Sequence, residues 1–353
     1  MIHLFDKIIP HYKQDLPFVV YRKPNSNSVS SFLLPDATIA YTASFKEKGF
    51  VFAPFHNDEK AILFPEEKAL FLTEELQLET FNYKESVFNE EVSSREKHIK
   101  IVENAIKEIN ASSLKKVVIS REEIVNISNF NLLEIFKKLL ITYKNAFVYV
   151  WFHPKVGLWF GATPETLLKV ENNSFKTMSL AGTQVYKEHT TPIWKSKELE
   201  EQQLVTDFIK NQLDGIADTL EIDKTETIKA GNLLHLRTKV SGELKKSSNL
   251  EALIRALHPT PAVCGLPRNI AKDFIVHNEN YHRSYYTGFL GELNVQNSKF
   301  DGKSSALFVN LRCMKVENSK ASIFVGGGIT KDSHAEKEWE ETVSKAKTMK
   351  RVL

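Results

Sequence analysis

The order of secondary structure along the chain constrains its fold more than any other sequence feature. Beyond residue 92, apolar runs typical of strands are intermixed with helical patterns, but no regular strand–helix–strand rhythm develops. A doubly wound parallel sheet requires that regular alternation. Residues 116–120, 147–152 and 306–316 are the clearest strand-like runs. The sequence therefore predicts an α+β protein with antiparallel sheets and peripheral helices.

Apolar periodicity also predicts where the main helices lie. The pattern indicates helices over about residues 132–140, 195–213 and 335–349. Residues 1–90 instead alternate short apolar runs with turn-forming patches, which predicts short strands and loops with few chemically suggestive groups.

Charge and cysteine usage exclude several classes of protein. The 47 basic and 44 acidic side chains leave a net charge of +3, too small and too evenly spread for a nucleic-acid or membrane-surface protein. The two cysteines form no CxxC motif, which favours a reducing compartment. Because the sequence shows neither a secretory signal nor a membrane-spanning run, we expect a cytoplasmic protein.

Two of the predicted helices each carry a pair of glutamates three residues apart. The pairs are Glu198 with Glu201 and Glu338 with Glu341. Residues at this spacing share a helix face, so each pair can present two carboxylates in one direction. Hard oxygen ligands from two separate elements suit Mg²⁺. The same spacing is common on solvated helix surfaces, so the pattern alone leaves both interpretations open.

Four single side chains in apolar segments are further candidates. Lys116 opens an apolar strand, where desolvation would favour a basic amine, and Glu165 lies beside a strand end, where a raised pKa would suit a general acid. Arg312 lies within an apolar run and needs an anionic partner, either a substrate carboxylate or a structural one. A strand-end lysine and a turn glutamate are the alternatives for the first two. His235, between two leucines, fits a core histidine.

Three consecutive glycines, 326–328, end an apolar strand about seven residues before a helix. Glycines let backbone N–H groups approach an anion closely, and a nearby helix start adds positive potential. No Gly-Lys-Ser/Thr follows, so the run is not a P-loop, and a tight turn is the alternative. Together the candidates fit a small substrate that carries more than one carboxylate.

A set of short motifs resembles those of the chorismate-utilising enzymes. The motifs keep the family's order and spacing over about residues 93–350, and they are KVVISR (116–121), GATPE (161–165), LAGT (180–183), KELEE (197–201), HPTPAVCGLP (258–267), Arg312-Cys313, GGGI (326–329) and EWEET (338–342). Residues 1–90 carry no such match and correspond to the family's variable N-terminal part. Within the family, the sequence is most similar to the isochorismate synthases.

The resemblance implies a fold, a domain arrangement and a reaction. The fold would be two packed antiparallel β-sheets with outer helices, in a single chorismate-binding domain over residues 1–353. The reaction would be the Mg²⁺-dependent isomerisation of chorismate to isochorismate, by attack of water at C2 and loss of the C4 hydroxyl. The product would feed menaquinone or siderophore biosynthesis. We expect a monomer that binds chorismate and involves no nucleic acid, membrane or glutamine amidotransferase subunit.

The resemblance also implies a role for each motif residue. Lys116 would activate the attacking water, and Glu165 would protonate the departing hydroxyl. The metal would have Glu201 and Glu341 as direct ligands and Glu198 and Glu338 as ligands of its bound waters. The residues expected to contact the substrate are Gly182, Thr183, His235, Ala262, Tyr286, Arg312, Gly326, Gly328 and Lys345.

Three positions bear on the choice among related reactions. Family members that add ammonia typically have glutamine in place of Lys116, and some aminodeoxychorismate synthases have a covalent lysine in place of Ala181, so water is the expected nucleophile. Salicylate synthases, which go on to eliminate pyruvate, tend to have threonine in place of Ala262. A salicylate synthase and a catalytically silent chorismate-binding protein are the alternatives. Gln202 departs from the family, which usually has histidine there, and its effect on metal affinity stays open.

Overall fold

The computed structural model describes residues 4–76, 92–186, 188, 192–230, 233–296 and 302–353. Its helices are α1 (Leu4–Lys13), α2 (Val92–Ala111), α3 (Leu132–Thr142), α4 (Ser196–Leu213), α5 (Leu250–Leu257), α6 (Arg268–Asn278) and α7 (Ala335–Lys350). Its strands are β1 (Phe18–Arg22), β2 (Ser28–Leu33), β3 (Ala40–Thr42), β4 (Gly49–Ala53), β5 (Ala61–Pro65), β6 (Leu70–Glu75), β7 (Lys116–Asn126), β8 (Phe147–His153), β9 (Gly157–Thr163), β10 (Thr166–Glu171), β11 (Ser174–Val185), β12 (Ala217–Ile222), β13 (Glu226–Ala230), β14 (Leu233–Leu244), β15 (Gly265–Leu266), β16 (Phe289–Gln296), β17 (Lys303–Val309), β18 (Cys313–Glu317) and β19 (Lys320–Ile329).

The strands form two antiparallel sheets, which confirms the α+β prediction. Sheet A has the order β15-β7-β19-β18-β9-β8-β1-β2-β6. Sheet B has the order β12-β14-β11-β10-β17-β16-β4-β5-β3, and β13 also pairs with β14. The strands before residue 77 therefore extend both sheets, as short strands, on the side away from β7 and β14. The N-terminal helix α1 was not predicted from the sequence.

The two sheets pack face to face through aromatic side chains, and helices cover their outer faces. Strand β8 shows why its sequence is apolar at every position. Phe147, Tyr149 and Trp151 point into the inter-sheet core, whereas Val148 and Val150 point to the other face of sheet A, into the core that includes α1, α3 and α7. A strand buried on both faces cannot alternate apolar with polar residues, so a continuous apolar run is the expected pattern. None of the described helices is long and apolar enough to span a membrane.

The continuous strand expected over residues 306–316 was wrong. The chain leaves sheet B after β17 and enters sheet A at β18, with Asn310, Leu311 and Arg312 as the link. Buried apolar residues stand on both sides of the break and outweigh the polar Asn310 and Arg312 between them, so the segment resembles one strand. Arg312 takes a left-handed backbone conformation with φ of 46°, uncommon for a residue other than glycine. The crossing lies beside the cleft described next. The helices predicted near residues 132, 195 and 335 are confirmed with small differences at their ends.

Candidate active site

A cleft of about 700 Å³, measured out to its open mouth, brings most of the predicted site residues together. Its walls come from both sheets, from helices α4 and α7, and from the links between strands. The predicted residues that line it are Glu165, Gly182, Thr183, Glu201, His235, Ala262, Tyr286, Arg312, Gly326, Gly328, Glu341 and Lys345. Glu198 and Glu338 line an adjoining cleft that shares Thr183 and Glu341 with the first. Lys116 lies behind the wall.

Lys116 is the first residue of β7, as predicted, and its side chain is fully buried. Its Nζ lies 2.8 Å from Oε1 of Glu201 on α4. This contact has the distance of an ion pair but not the geometry of a hydrogen bond, and Nζ has no hydrogen-bond partner among the described residues. A buried amine with unused hydrogen-bonding capacity is costly unless something else satisfies it. The arrangement therefore suits a further polar group, such as a water or a substrate hydroxyl, beside Nζ.

Glu165 lies in the short link between β9 and β10 and is only 3% exposed. The backbone fixes this link, because the N–H of Val309 on β17 donates to the carbonyl of Glu165 over 3.0 Å. Burial raises the pKa of the Glu165 carboxyl to about 8, and the positive charges of Lys116 and Lys345 only partly oppose that rise. Glu165 is therefore a protonated acid at neutral pH, as a general acid must be before it acts.

The two glutamate pairs lie on α4 and α7, as predicted, and three of these carboxylates contact lysines. Besides the Lys116–Glu201 contact, Lys197 donates to Glu338 over 2.5 Å and Lys345 donates to Glu341 over 2.6 Å. The carboxylate of Glu198 instead accepts from the backbone N–H of residue 195 over 2.9 Å, within the capping box of α4. Three carboxylates close to one cleft are thus each neutralised by an ammonium group.

Glu338 and Glu341 influence each other's protonation because they lie one turn apart on α7. Burial, reinforced by the charge of Glu341, raises the pKa of Glu338 against the opposing effect of Lys197. Burial also acts to raise the pKa of Glu341, but contact with Lys345 outweighs it, so the pKa of Glu341 is lowered. Glu341 is therefore the carboxylate of this pair that is more firmly ionised.

Strand β19 passes against these carboxylates at its glycines. A Cβ added at Gly328 would lie 2.2 Å from Oε1 of Glu201, and one added at Gly327 would lie 3.5 Å from oxygens of both Glu338 and Glu341. Carboxylate oxygens from two helices therefore converge on a stretch of backbone without side chains. That donor set fits a hard divalent cation such as Mg²⁺.

In the described structure these carboxylates do not surround a single point. The described group of three residues whose ligand atoms lie within 4.8 Å of one another is His56, Glu59 and His282, and it does not line the cleft. Lysine contacts hold the cleft carboxylates instead. A cation would thus have to displace ammonium groups from Glu201 and Glu341.

Arg312 has a positive charge that no described carboxylate pairs with. Its Nη1 donates to Oγ1 of Thr348 over 3.1 Å, and its Nη2 lies 3.4 Å from Nε2 of His235. Burial, together with the charges of Arg312 and Lys345, lowers the pKa of His235 to about 3, so its ring is neutral. Because Nδ1 lies 3.0 Å from the carbonyl of Gly182, we assign the ring proton to Nδ1, which leaves Nε2 to accept from Arg312. Within the described part of the chain, the structural ion pair considered for Arg312 is not found.

The remaining predicted residues form a polar wall around this guanidinium. Lys345 donates to the carbonyl of Gly326 over 2.8 Å, and a Cβ at Gly326 would lie 3.1 Å from the hydroxyl of Tyr286. Gly182 has φ of 67° at a break in the β11–β14 register, a conformation that glycine adopts without strain. The wall therefore offers cationic and hydroxyl groups next to backbone with no side chains, which suits a carboxylate.

Sequence reasoning missed two groups of residues at this site. Lys197, the partner of Glu338, opens the KELEE motif, and that position was the available signal. The apolar lining includes Val118, Val263 and Phe324, which are indistinguishable in sequence from ordinary core residues. Only the fold shows that they border a cleft.

Gln202, the departure from the family pattern, is buried behind the site. Its Oε1 accepts from the N–H of Ala181 over 2.9 Å, and its Nε2 donates to the hydroxyls of Ser179 and Thr238 over 2.8 and 3.0 Å. It therefore joins α4 to β11 and β14 through an uncharged side chain.

Comparison with known sequences identifies the family of this chain and two similar enzymes. The family described as chorismate binding enzyme matches residues 30–353. The isochorismate synthase MenF of Escherichia coli (strain K12) is 27% identical over 262 residues, which cover 72% of this chain and 59% of that enzyme. The isochorismate synthase DhbC of Bacillus subtilis (strain 168) is 30% identical over 203 residues, covering 55% of this chain and 50% of that enzyme. The matched segments thus span between half and three-fifths of these two relatives.

Solved structures show the same fold. DhbC of Bacillus anthracis, described as a 2,3-dihydroxybenzoate-specific isochorismate synthase, superimposes with a TM-score of 0.81 at 25% identity, covering 99% of both chains. Anthranilate synthase component I of Streptococcus pneumoniae TIGR4 superimposes with a TM-score of 0.67 at 18% identity, covering 95% of this chain and 90% of that one. The second likeness is one of fold alone. The fold class expected from the motifs is thereby confirmed.

Proposed function

This chain belongs to the family of chorismate-binding enzymes, and from that premise we propose that it is an isochorismate synthase. The observation that carries the proposal is the pairing of a buried, protonated Glu165 with a buried Lys116 at the same cleft as the unpaired Arg312. Glu165 would be the acid and Lys116 the base in the transfer of a hydroxyl group. Arg312 would be a receptor for a carboxylate.

In the proposed reaction Lys116 and Glu165 act on opposite ends of one displacement through the conjugated double bonds of the ring. Lys116, once its ammonium group has released a proton to solvent, takes a proton from water while the water oxygen bonds to C2 of chorismate. Both ring double bonds shift, the C4–oxygen bond breaks, and Glu165 gives its proton to the departing hydroxyl, which leaves as water. Return of a proton from Lys116 to Glu165 through solvent restores both groups. The reaction therefore consumes no net water and isomerises the substrate.

The substrate's two carboxylates need two different receptors. We assign the enolpyruvyl carboxylate to Arg312, Tyr286 and the glycine backbone at 326 and 328, because the guanidinium is cationic and the glycines carry no side chains. Lys345 would lie near a carboxylate as well, since its Nζ reaches the carbonyl of Gly326. Gly182, Thr183, His235 and Ala262 would complete the lining.

The ring carboxylate would lie on the side of the acidic helices, which requires a cation. We propose Mg²⁺, held directly by Glu201 and Glu341 and through water by Glu198 and Glu338, because oxygen donors from two helices are the set this ion prefers. When bound, Mg²⁺ would supply the positive charge that lets a carboxylate approach carboxylates. Glu341 is well suited to this role because Lys345 keeps it ionised.

The proposal also covers the pathway, the cellular location and the assembly of the protein. Similar proteins include a menaquinone-specific and a vibriobactin-specific isochorismate synthase, so either pathway would suit the product. We propose that the chain acts in the cytoplasm as a single-domain monomer. Because water is the proposed nucleophile, no glutamine amidotransferase subunit is needed.

Incubation of the purified protein with chorismate, with and without Mg²⁺, tests the function directly when the products are separated chromatographically. We expect isochorismate that depends on Mg²⁺, without pyruvate. Salicylate accompanied by equal pyruvate would identify a lyase with the same site. The Lys116→Ala variant, folded by circular dichroism, should give no product. No conversion by the wild-type protein would contradict the proposal and favour a binding protein.

A further inference from the structure

Among the described strands, β7, which begins with Lys116, has no full partner along one edge. Strand β15 pairs only with residues 116 and 117, and one more bond follows, from the N–H of Val118 to the carbonyl of Cys264 over 2.8 Å. In an antiparallel ladder the C=O of Val118 and the N–H of Ser120 face the same edge. Both groups are buried, so they need partners that β15 does not provide.

The side chains of Glu279 and Arg283 supply those partners. Nη2 of Arg283 donates to the carbonyl of Val118 over 2.7 Å, and Oε1 of Glu279 accepts from the N–H of Ser120 over 2.7 Å. The hydroxyl of Ser120 donates to the same Oε1 over 2.8 Å. The two side chains also bind each other twice, over 2.5 and 2.7 Å, and each is 1% exposed. The Glu279–Arg283 ion pair thus supplies, beyond the end of β15, the hydrogen bonds that a partner strand would make with β7.

The same arginine holds the opposite wall of the cleft. Its Nη1 donates to the carbonyl of Val263 over 2.8 Å, and Val263 and its neighbour Ala262 both line the cleft. The segment that precedes β15 diverges from β7 at this point and forms that wall. Arg283 therefore spans the gap between β7 and the diverging segment. Without it, either water would enter beside the strand or the wall would move towards it.

We propose that Glu279 and Arg283 are positioning residues that set the distance between Lys116 on β7 and the substrate-lining wall at Ala262 and Val263. They touch neither the substrate nor the proposed metal, and they act through the backbone of Val118 and Val263. The kinetic part of this inference rests on the proposed function. A small displacement of a catalytic group lowers the rate much more than it lowers stability.

The test is the Arg283→Lys variant, which keeps a positive charge beside Glu279 but cannot bind both carbonyls with a planar fork. Kinetics are measured at a temperature where circular dichroism shows the variant fully folded. We expect kcat to fall on the order of 10- to 100-fold, while the Mg²⁺ concentration for half-maximal rate stays within about twofold of wild type. A purely structural pair would lower the melting temperature and leave kcat of the folded enzyme unchanged, and that result would overturn the proposal.

The chain offers a matched control and a second variant. Glu251 and Arg255 have the same residue types and the same spacing, but their ion pair is solvent-exposed on α5. Arg255→Lys should leave kcat unchanged. If Arg283→Lys does not fold, Glu279→Gln replaces it, because the amide keeps the shape but loses the charge that pairs with Arg283.

Amide hydrogen exchange separates this inference from the proposed function. In the wild-type protein the Ser120 amide should be protected, and in the Arg283→Lys or Glu279→Gln variant it should exchange at least about tenfold faster. This readout requires no turnover, so it holds even if the wild-type protein does not convert chorismate. Unchanged protection at Ser120 would show that the pair does not hold the β7 edge, whatever the kinetics.

Discussion

Two carboxyl groups at the cleft, Glu165 and Glu341, have opposite protonation states although both are withdrawn from solvent. Burial pushes the pKa of both upward. Glu341 touches Lys345 at 2.6 Å, which reverses the shift, whereas Glu165 has lysines only at longer range and its pKa rises to about 8. Contact with Lys345, together with the charges of Lys197 and Arg312, therefore keeps Glu341 ionised, whereas burial keeps Glu165 protonated.

This difference divides the cleft into two functional ends. At the Glu165 end, a neutral carboxyl can release a proton without first taking one from solvent. At the end formed by α4 and α7, ionised carboxylates contact ammonium groups, which a divalent cation would displace. The predictions below test each end separately.

The largest effect is expected at the neutral end. Glu165→Gln keeps the size of the side chain but removes the transferable proton, so kcat should fall on the order of 10² to 10⁴-fold. The variant should still bind chorismate, measured by isothermal titration calorimetry, because Gln preserves the cleft surface. A near-normal kcat would show that Glu165 is not the acid.

The ionised end is tested through metal affinity. Glu201→Gln removes a charged oxygen ligand, so the Mg²⁺ concentration for half-maximal rate should rise on the order of 10- to 100-fold. Glu200→Gln, an exposed neighbour on the same helix, is the matched control and should change nothing. Equal Mg²⁺ dependence in the two variants would remove Glu201 from the metal site.

A smaller effect is expected at the guanidinium that lies between the two ends. Arg312→Lys keeps the charge but loses the planar fork that binds a carboxylate through two bonds, so KM for chorismate should rise roughly tenfold. The effect on kcat should be smaller, because the proton-transfer groups are untouched. Steady-state kinetics at saturating Mg²⁺ measure both, and an unchanged KM would contradict the assigned role.

The raised pKa of Glu165 also predicts how stability depends on pH. The folded protein holds this proton up to about pH 8, whereas the unfolded chain releases it near the ordinary pKa of 4.5. Between those values the folded state binds more protons, so this group's contribution makes the free energy of unfolding decrease as pH rises, by roughly 1.4 kcal/mol per pH unit. Urea titrations of wild type and Glu165→Gln should therefore diverge with pH, and parallel curves would contradict the raised pKa.

The sequence predicted residue identities at the site much better than their contacts. Lys116, Glu165 and the two glutamate pairs stand in recognisable motifs, and the apolar periodicity of α4 and α7 placed those pairs on helices. The chain could not reveal that Lys116 contacts Glu201, since 85 positions separate them and pairing depends on how both sheets pack.

The errors have a physical origin as well. The run 306–316 resembles one strand because buried apolar residues stand on both sides of the sheet change and outweigh the polar Asn310 and Arg312 between them. The Glu279–Arg283 pair had no sequence signal, because a Glu and an Arg four residues apart usually form an exposed pair, as Glu251 and Arg255 do. Only the unpaired edge of β7 gives the buried pair its significance.

The central claim, that one cleft holds a neutral and an ionised carboxyl at the same pH, is tested most directly by carbon-13 NMR. The protein is labelled at the glutamate carboxyl carbons and titrated, and the Glu165→Gln and Glu341→Gln variants assign the two resonances. The account predicts that Glu165 titrates near pH 8 and that Glu341 titrates below the ordinary pKa of 4.5. Titration of Glu165 together with the exposed glutamates near pH 4.5 would contradict it.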